Sequence, residues 1–204
     1  LTELQNNLFL TRGRILLTDR HNNKIPVAVT KEYPVIYSQP KKVKYIDETA
    51  EKLSPLIGLD KEKIKTMLDN PNSLYRLLVE KPSEEMIDSV VSLKLPGIDI
   101  TSKDYREYPF QGLAAQIIGF VGVNTDHPVP TGLYGLEKLH NQTLKENQDL
   151  ELTIDRNIQA ESEAILEKIM TDYNAVQGTV IVMEPKTGKI LSLANSPSFD
   201  PNTY

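Results

Sequence analysis

Two short motifs in the sequence have the residue types of a serine acyl-transfer site. Residues 38–41 read Ser-Gln-Pro-Lys, with a serine three positions before a lysine, and residues 186–188 read Lys-Thr-Gly. In this chemistry a nucleophilic hydroxyl needs an amine within hydrogen-bond reach to accept its proton, and a further cationic group binds the substrate carboxylate. The motifs raise the hypothesis that Ser38 is a nucleophile, with Lys41 as its base and Lys186 as the carboxylate-binding residue.

The surroundings of both motifs argue against that hypothesis. Pro40 disfavours helical geometry at Gln39, and residues 35–37 and 43–45 have strand-like composition, so the lysine is not expected one helical turn from Ser38. No serine in the chain begins the Ser-x-Asn motif that such a site also requires. Residues 184–189 combine proline and glycine between two apolar segments, which is typical of a hairpin turn. We therefore predict no catalytic residue in this chain.

Metal and cofactor sites are not predicted either. The chain has no cysteine and three histidines: His21 in a turn, His127 in a proline-flanked loop and His140 in a predicted helix. None has metal-ligand spacing, so each is expected at the surface. Residues 104–107 form a charged cluster of the kind that is usually structural or solvated. The glycines of 119–122 lack the strand-loop-helix context of a phosphate loop.

Composition and charge limit the classes of protein to which the chain can belong. The 204 residues are 39% hydrophobic and 25% charged, which is ordinary for a globular chain with a core, and the net charge of −5 argues against a nucleic-acid-binding role. The basic cluster at 41–44 is expected on a solvated strand edge. No apolar run reaches about 18 residues, so no transmembrane helix is predicted. Because the chain opens on Leu1 without Met, we expect a fragment of a longer protein.

The elements that would position these residues alternate between strands and helices. Residues 10–37 favour extended structure around a turn at 19–23, and helices are predicted from N-caps at Asp47, Asp60 and Ser83. Further on, 132–144 is predicted to be one helix with Leu136, Leu139 and Leu144 facing inward.

The last third of the chain has the clearest pattern. Residues 150–154 alternate between apolar and polar as a half-buried strand does, and Asp155 can cap a helix extending to about Tyr173. Two strands at 179–183 and 190–194 follow as a hairpin. The order β-α-β-β predicts an α+β fold with the helix on an antiparallel sheet.

Several longer segments together resemble the class B penicillin-binding proteins. They occur in the order typical of that family and extend over nearly the whole chain. The segment LTIDRNIQ is similar to the start of the family's transpeptidase domain, and VMEPKTGKIL to its first hairpin. The full set is 12–15 (RGRI) with 19–28 (DRHNNKIPVA), 95–98 (LPGI), 106–109 (REYP), 114–122 (AAQIIGFVG), 132–138 (GLYGLEK), 152–159 (LTIDRNIQ), 182–191 (VMEPKTGKIL) and 196–202 (SPSFDPN).

This resemblance implies a two-part architecture. Residues 1–147 would form the β-rich pedestal, or dimerisation, domain, with a small helical head subdomain at about 47–94. Residues 148–204 would form the opening β-α-β-β of the transpeptidase domain, ending before the catalytic serine, which follows the 196–202 loop by several tens of residues in the family. The chain would then contain no catalytic, cofactor-binding or metal-binding residue.

The resemblance also implies a function for the parent protein. The parent would cross-link peptidoglycan by serine-based D,D-transpeptidation and be acylated by β-lactams, with no cofactor or metal, while this fragment alone would be inactive. The parent would be anchored in the cell membrane and face outward, and its anchor helix would lie outside this chain. Its expected partners are peptidoglycan stem peptides, β-lactams, a membrane-embedded glycan polymerase and a second copy of itself, and not nucleic acid.

Two alternatives remain open from the sequence. The parent could be an interaction or scaffold protein whose transpeptidase domain is inactive or absent, or a β-lactam sensor with a cytoplasmic signalling part. The parent's role could lie in elongation, division or sporulation.

Overall fold

The computed structural model describes residues 12–70, 72–123 and 129–204. They belong to two compact units, of which one is inserted in the sequence of the other. We call residues 32–105 the inserted unit, and residues 10–31 together with 106–204 the flanking unit. His127, predicted in a loop, lies outside the described residues.

The inserted unit consists of helices around a short strand pair. Its elements are the end of β2 (Lys24–Ser38), a 3-10 turn (Pro40–Lys42), α1 (Ile46–Ile57), α2 (Lys61–Leu68), β3 (Arg76–Glu80), α3 (Glu84–Ser92) and most of β4 (Ile98–Glu107). β3 runs antiparallel to β2, with Val35 opposite Glu80 and Ser38 opposite Arg76, and β4 also pairs with β2. The core is made by one apolar side of these elements: Ile36, Ala50, Leu53, Ile57, Ile64, Leu68, Leu78 and Val90.

The helix boundaries in this unit follow local capping chemistry, with one exception. The Asp60 carboxylate accepts hydrogen bonds from the backbone of Glu62 and Lys63, and the Ser83 hydroxyl accepts one from Met86 N, so both predicted caps are confirmed. The prediction that Asp47 caps α1 is wrong. α1 begins at Ile46, and Tyr45 precedes it without a side-chain cap. Asp47 therefore lies in the first turn, where a carboxylate interacts favourably with the helix dipole.

The flanking unit holds the remaining elements. They are β1 (Ile15–Thr18), the start of β2, α4 (Ala115–Ile118), β5 (Val121–Gly122), β6 (Thr131–Gly132), α5 (Gly135–Leu139), α6 (Asn141–Lys145), β7 (Leu150–Asp155), α7 (Arg156–Asp172), β8 (Gly178–Met183) and β9 (Ile190–Ser196). β1 pairs antiparallel with β2 and parallel with β7, while β5–β6 and β8–β9 form antiparallel pairs. The core contains Ile15, Leu17, Val27, Ala28, Tyr108, Ala114, Ile118, Leu144 and Ile154.

The predicted helix over 132–144 is wrong in two respects. Thr131 and Gly132 belong to β6, and the helical part divides into α5 and α6 at His140, which is half-buried between them. The inward side of α5 is the one that carries the buried Glu137, so Leu139 is 75% exposed, whereas Leu144 of α6 is buried. The expected inward position of Leu139 is therefore also wrong.

The end of the flanking unit confirms the predicted β-α-β-β order and the α+β class. The Asp155 carboxylate caps α7 by accepting from Asn157 N and Ile158 N, and the hairpin of β8 and β9 is antiparallel. β7 pairs with β1 and is not part of the β8–β9 sheet. No helix of the described residues is long and apolar enough to cross a membrane.

Candidate functional site

A cluster of buried charges lies in the flanking unit, made by three residues distant in sequence. Arg12 Nε donates to Glu137 Oε2 at 2.6 Å, and Arg106 Nε donates to Glu137 Oε1 at 2.7 Å. The side chains of Arg12, Arg106 and Glu137 are 0%, 3% and 0% exposed. We call these three residues the charge cluster. Each oxygen of one carboxylate serves one guanidinium, so the cluster holds two positive charges against one negative charge.

Further hydrogen bonds join the charge cluster to the backbone around it. Arg12 Nη2 donates to the carbonyl oxygen of Glu137 at 2.7 Å, and its Nη1 donates to Asn141 Oδ1 at 2.9 Å. Asn141 Oδ1 also accepts from Gly132 N at 3.1 Å. Arg106 Nη1 donates to the carbonyl oxygen of Arg12 at 3.3 Å, whereas Arg106 Nη2 has no hydrogen-bond partner among the described residues. The cluster therefore fixes β6, α5 and α6 to the start of the described chain.

Tyr108 completes the cluster on one side. Its hydroxyl donates to Glu137 Oε1 at 3.4 Å and accepts from Val121 N at 2.9 Å. Burial, followed by the nearby charge of Glu137, raises the pKa of Tyr108 above its ordinary value. The phenol therefore stays neutral and serves as a donor to the carboxylate.

Two glycines allow the backbone to approach closely enough to place Glu137. A Cβ at Gly132 would lie 1.9 Å from the carbonyl oxygen of Glu137. A Cβ at Gly119 would lie 1.9 Å from the carbonyl oxygen of Tyr134, and Gly119 has a φ of +73°. Both contacts are far shorter than any carbon–oxygen van der Waals distance, so only glycine fits at these two positions.

The chemistry available to the charge cluster is structural. Glu137 is engaged by two guanidinium groups and a phenol, none of which is a nucleophile at neutral pH. Burying a charge is costly unless it is paired and hydrogen-bonded, and these contacts meet that requirement for the carboxylate. The arrangement can hold segments together in one geometry. The one hydroxyl at the cluster, that of Tyr108, is buried, stays protonated and donates to a carboxylate that two guanidinium groups already engage, so it is not activated as a nucleophile.

Two amide side chains hold the end of the flanking unit. The Gln159 side chain, which is fully buried, donates from Nε2 to the carbonyl oxygen of Leu193 at 2.9 Å and accepts from Leu193 N at 2.8 Å. Asn202 makes the same two-bond pattern with the backbone of Tyr108, each bond being 3.0 Å. Gln159 thus acts as a strand partner of β9, and Asn202 attaches the loop after β9 to the residue that touches Glu137.

Aromatic rings strengthen the same attachment. The Tyr204 ring stacks on Phe120 at 3.8 Å between centroids, and its hydroxyl donates to the carbonyl oxygen of Val121 at 2.8 Å. Phe199 lies edge-on to Phe120 at 5.8 Å. The loop at residues 197–204 therefore packs on the segment that also binds Tyr108.

Ser38 and Lys41 lie in surroundings unlike those of a nucleophile and its base. Ser38 is the last residue of β2, is fully buried and donates its hydroxyl to the carbonyl oxygen of Arg76 at 3.5 Å. Lys41 is exposed in the 3-10 turn that follows. The strand predicted at residues 43–45 is wrong, because the turn leads directly to α1; the basic residues of 41–44 are solvated as expected but not on a strand.

Lys186, Thr187 and Gly188 form the turn between β8 and β9, as predicted. Gly188 N donates to the carbonyl oxygen of Glu184 at 2.9 Å, and Gly188 has a φ of +77°. The Thr187 hydroxyl donates to the Glu184 carboxylate. All three residues are exposed, so Lys186 lies in a solvated turn at the surface of the flanking unit.

The remaining candidate residues also lie apart. His21 is exposed and accepts a hydrogen bond from Arg20 Nε at 2.9 Å, and His140 is half-buried at the α5–α6 junction. Within residues 104–107, Arg106 belongs to the charge cluster and Glu107 forms an ion pair with Lys31 at 3.8 Å. The described part of the chain has no group of three or more His, Asp or Glu side chains placed to hold a metal ion.

Sequence reasoning did not assign roles to Arg12, Glu137, Gln159 or Asn202. Hydropathy alone places arginine and glutamate at the surface, since these residues are almost never fully buried unless they are paired. The available signal was their membership of the glycine- and aromatic-containing segments that resemble a known family. All four lie in those segments.

Known proteins resemble this chain over most of its length. The family model for the penicillin-binding protein dimerisation domain matches residues 10–191. Stage V sporulation protein D of Bacillus subtilis is 26% identical over 95% of this chain and 33% of its own length. Peptidoglycan D,D-transpeptidase FtsI of Escherichia coli is 24% identical over 95% of this chain and 37% of its own length. The chain thus spans about a third of the length of the curated relatives it matches.

A solved structure supports the fold. Penicillin-binding protein 2X from Streptococcus thermophilus superposes with a TM-score of 0.64 at 18% identity, over 97% of this chain and 36% of that one. At this identity the likeness concerns the fold alone.

Proposed function

The chain belongs to the penicillin-binding protein dimerisation domain family, and on this premise we propose that it is the non-catalytic pedestal portion of a class B penicillin-binding protein. One observation carries the proposal. The family-like segments around Arg12, Arg106 and Glu137 meet in a buried ion-pair cluster that holds backbone together and presents no nucleophile. A site of this kind suits a structural support better than a catalyst.

The proposed division of the chain follows the sequence prediction. Residues 1–147 form the pedestal, with a head subdomain at about 47–94, and residues 148–204 begin the transpeptidase domain. The contacts of Gln159 with β9 and of Asn202 with Tyr108 support a role for the second segment in joining the catalytic domain to the pedestal.

For the parent protein we propose serine-type peptidoglycan D,D-transpeptidase activity. A relative with this activity in its name, FtsI of Escherichia coli, supports the reaction class. Peptidoglycan stem peptides and β-lactams would bind the parent's transpeptidase domain. A membrane-embedded glycan polymerase and a second copy of the chain are the proposed protein partners, and the proposed location is the extracytoplasmic face of the cell membrane. Neither a metal nor an organic cofactor is part of the proposed reaction.

The proposal is tested in the full-length protein by substituting the residues of the two apparent motifs. Ser38→Ala, Lys41→Gln and Lys186→Gln should each leave D,D-transpeptidase activity within about twofold of wild type, because Ser38 is buried in a strand and the lysines face solvent. Loss of more than about a hundredfold in Ser38→Ala, with an unchanged melting temperature, would overturn the assignment of this chain as non-catalytic. Total absence of activity in the unaltered full-length protein would instead favour the scaffold alternative.

Self-association has its own test. Sedimentation velocity of the chain over a range of concentrations should show a monomer–dimer equilibrium. A single monomeric species at all concentrations would refute the homodimer.

A further inference from the structure

A concave surface in the inserted unit is lined by cations and apolar groups. Its volume is about 530 Å³. α2 contributes one wall, and Tyr75 with the start of β3 and a lysine of β4 contribute the other. We call this surface the basic cleft, and its lining residues are Lys63, Met67, Tyr75, Arg76, Leu77 and Lys103.

Two of the three cations in the basic cleft have no counter-charge among the described residues. Lys63 and Arg76 form no ion pair with any residue in the described part of the chain. The other lysines of α2 are paired, Lys61 with Glu51 at 2.8 Å and Lys65 with Asp47 at 2.6 Å. In a chain of net charge −5, two cations that line one concavity without an ion pair to the described residues are a local exception to the acidic background.

The walls of the basic cleft are held in place by other contacts. The ring of Tyr75 stacks on Tyr37, with 5.0 Å between centroids and 26° between planes. Lys103 is fixed by an ion pair with Glu80 at 3.2 Å and lies 5.0 Å from the centre of the Tyr105 ring. Because Tyr75 and Lys103 are already ordered, ligand binding would cost little side-chain entropy at these two positions of the wall.

The charges indicate which ligand fits. Glu80 offsets Lys103, so the two remaining positive charges, on Lys63 and Arg76, match a dianion. A phosphomonoester carries a charge of about −1.5 to −2 at pH 7, whereas a carboxylate carries −1. The planar guanidinium of Arg76 can donate two parallel hydrogen bonds to phosphate oxygens, and Lys63 adds a point charge. Met67 and Leu77 offer apolar surface to the organic part of such a ligand.

We propose that the basic cleft binds a phosphomonoester or diphosphate group, with Arg76 and Lys63 as its ligands. This inference does not depend on the proposed function, because every residue involved lies in the inserted unit and none belongs to the charge cluster. The phosphate could be carried by a soluble molecule or by a lipid headgroup.

Calorimetric titration of the full chain with phenyl phosphate and with pyrophosphate tests the soluble source. Flotation with phosphatidylcholine vesicles, with and without phosphatidic acid, tests the lipid source. Saturable binding in either arm supports the proposal and identifies the source, and absence of binding in both arms overturns it. Benzoate, a monoanion with the same ring as phenyl phosphate, should bind at least tenfold more weakly. Equal binding of benzoate would contradict the dianion argument.

Variants assign the binding to the basic cleft. Lys63→Gln/Arg76→Gln should weaken phenyl phosphate or phosphatidic acid binding at least tenfold, since two charge-assisted hydrogen-bonding groups are lost. The matched control, Lys42→Gln/Lys44→Gln, removes two exposed lysines of the same unit outside the cleft and should stay within twofold. Equal losses in both variants would mean non-specific attraction and would overturn the site.

Two further measurements test whether the basic cleft recognises the phosphate dianion itself. Arg76→Lys retains the charge and the fold but loses the planar fork, and should weaken binding by about threefold or more. Phenyl phosphate affinity should rise between pH 5 and 7.5, because the second phosphate proton leaves near pH 6. No rise over this range would contradict recognition of the dianion.

Discussion

Replacing Glu137 by Gln removes the only negative charge of the charge cluster while preserving its shape. Two guanidinium groups, donating at 2.6 and 2.7 Å with side chains 0% and 3% exposed, would then be buried without a counter-charge. Breaking a buried ion pair by removing one partner costs about 3–5 kcal/mol, which is a large fraction of the 5–15 kcal/mol stability of a typical domain. With an m-value of about 2 kcal/mol per M, a loss of about 4 kcal/mol lowers the urea midpoint by about 2 M.

Urea unfolding of Glu137→Gln, followed by circular dichroism and tyrosine fluorescence, measures this loss. The matched control is Glu151→Gln, which removes the carboxylate from an ion pair with Lys24 whose side chains are 58% and 41% exposed. An exposed pair contributes less than about 1 kcal/mol, so the control should unfold close to wild type. If Glu137→Gln lost no more stability than Glu151→Gln, the charge cluster would not hold the flanking unit together and the reasoning would be refuted.

Two further predictions concern the surroundings of the charge cluster. Gly119→Ala should lower the melting temperature far more than Gly58→Ala does. Both glycines have positive φ, but a Cβ at Gly119 would meet the Tyr134 carbonyl oxygen, whereas a Cβ at Gly58 would have nothing within 4 Å. Equal melting temperatures of the two variants would contradict the close approach. Stability should also fall as pH rises above about 10, because the unfolded Tyr108 phenol loses its proton there while its raised pKa keeps the folded form protonated. Tyr108→Phe should make this decline shallower, and an unchanged slope between pH 9 and 11 would count against it.

Features encoded by neighbouring residues could be predicted from the sequence. The caps at Asp60, Ser83 and Asp155 each depend on a side chain reaching the backbone two or three residues later. The β8–β9 hairpin depends on turn residues between two apolar segments. Each of these features is determined by residues a few positions apart, so it can be predicted without knowledge of the tertiary structure.

Features made by distant segments could not be predicted in the same way. Arg12 and Glu137 are 125 residues apart, and no local sequence pattern predicts that their side chains are in contact. The parallel pairing of β7 with β1 is equally remote, since alternation predicts a half-buried strand but not its neighbour. Leu139 is predicted on the wrong side because α5 turns the charged Glu137 inward to meet two distant arginines, and hydropathy does not place a glutamate in a core.

The non-catalytic character of this chain is tested most directly by locating a β-lactam adduct. The full-length protein and the 204-residue chain are each incubated with fluorescent penicillin, separated, digested and mapped by mass spectrometry. We predict a covalent adduct on the full-length protein at a serine outside residues 1–204, and no label on the isolated chain. An adduct at Ser38, or at any other serine within these residues, would contradict the account.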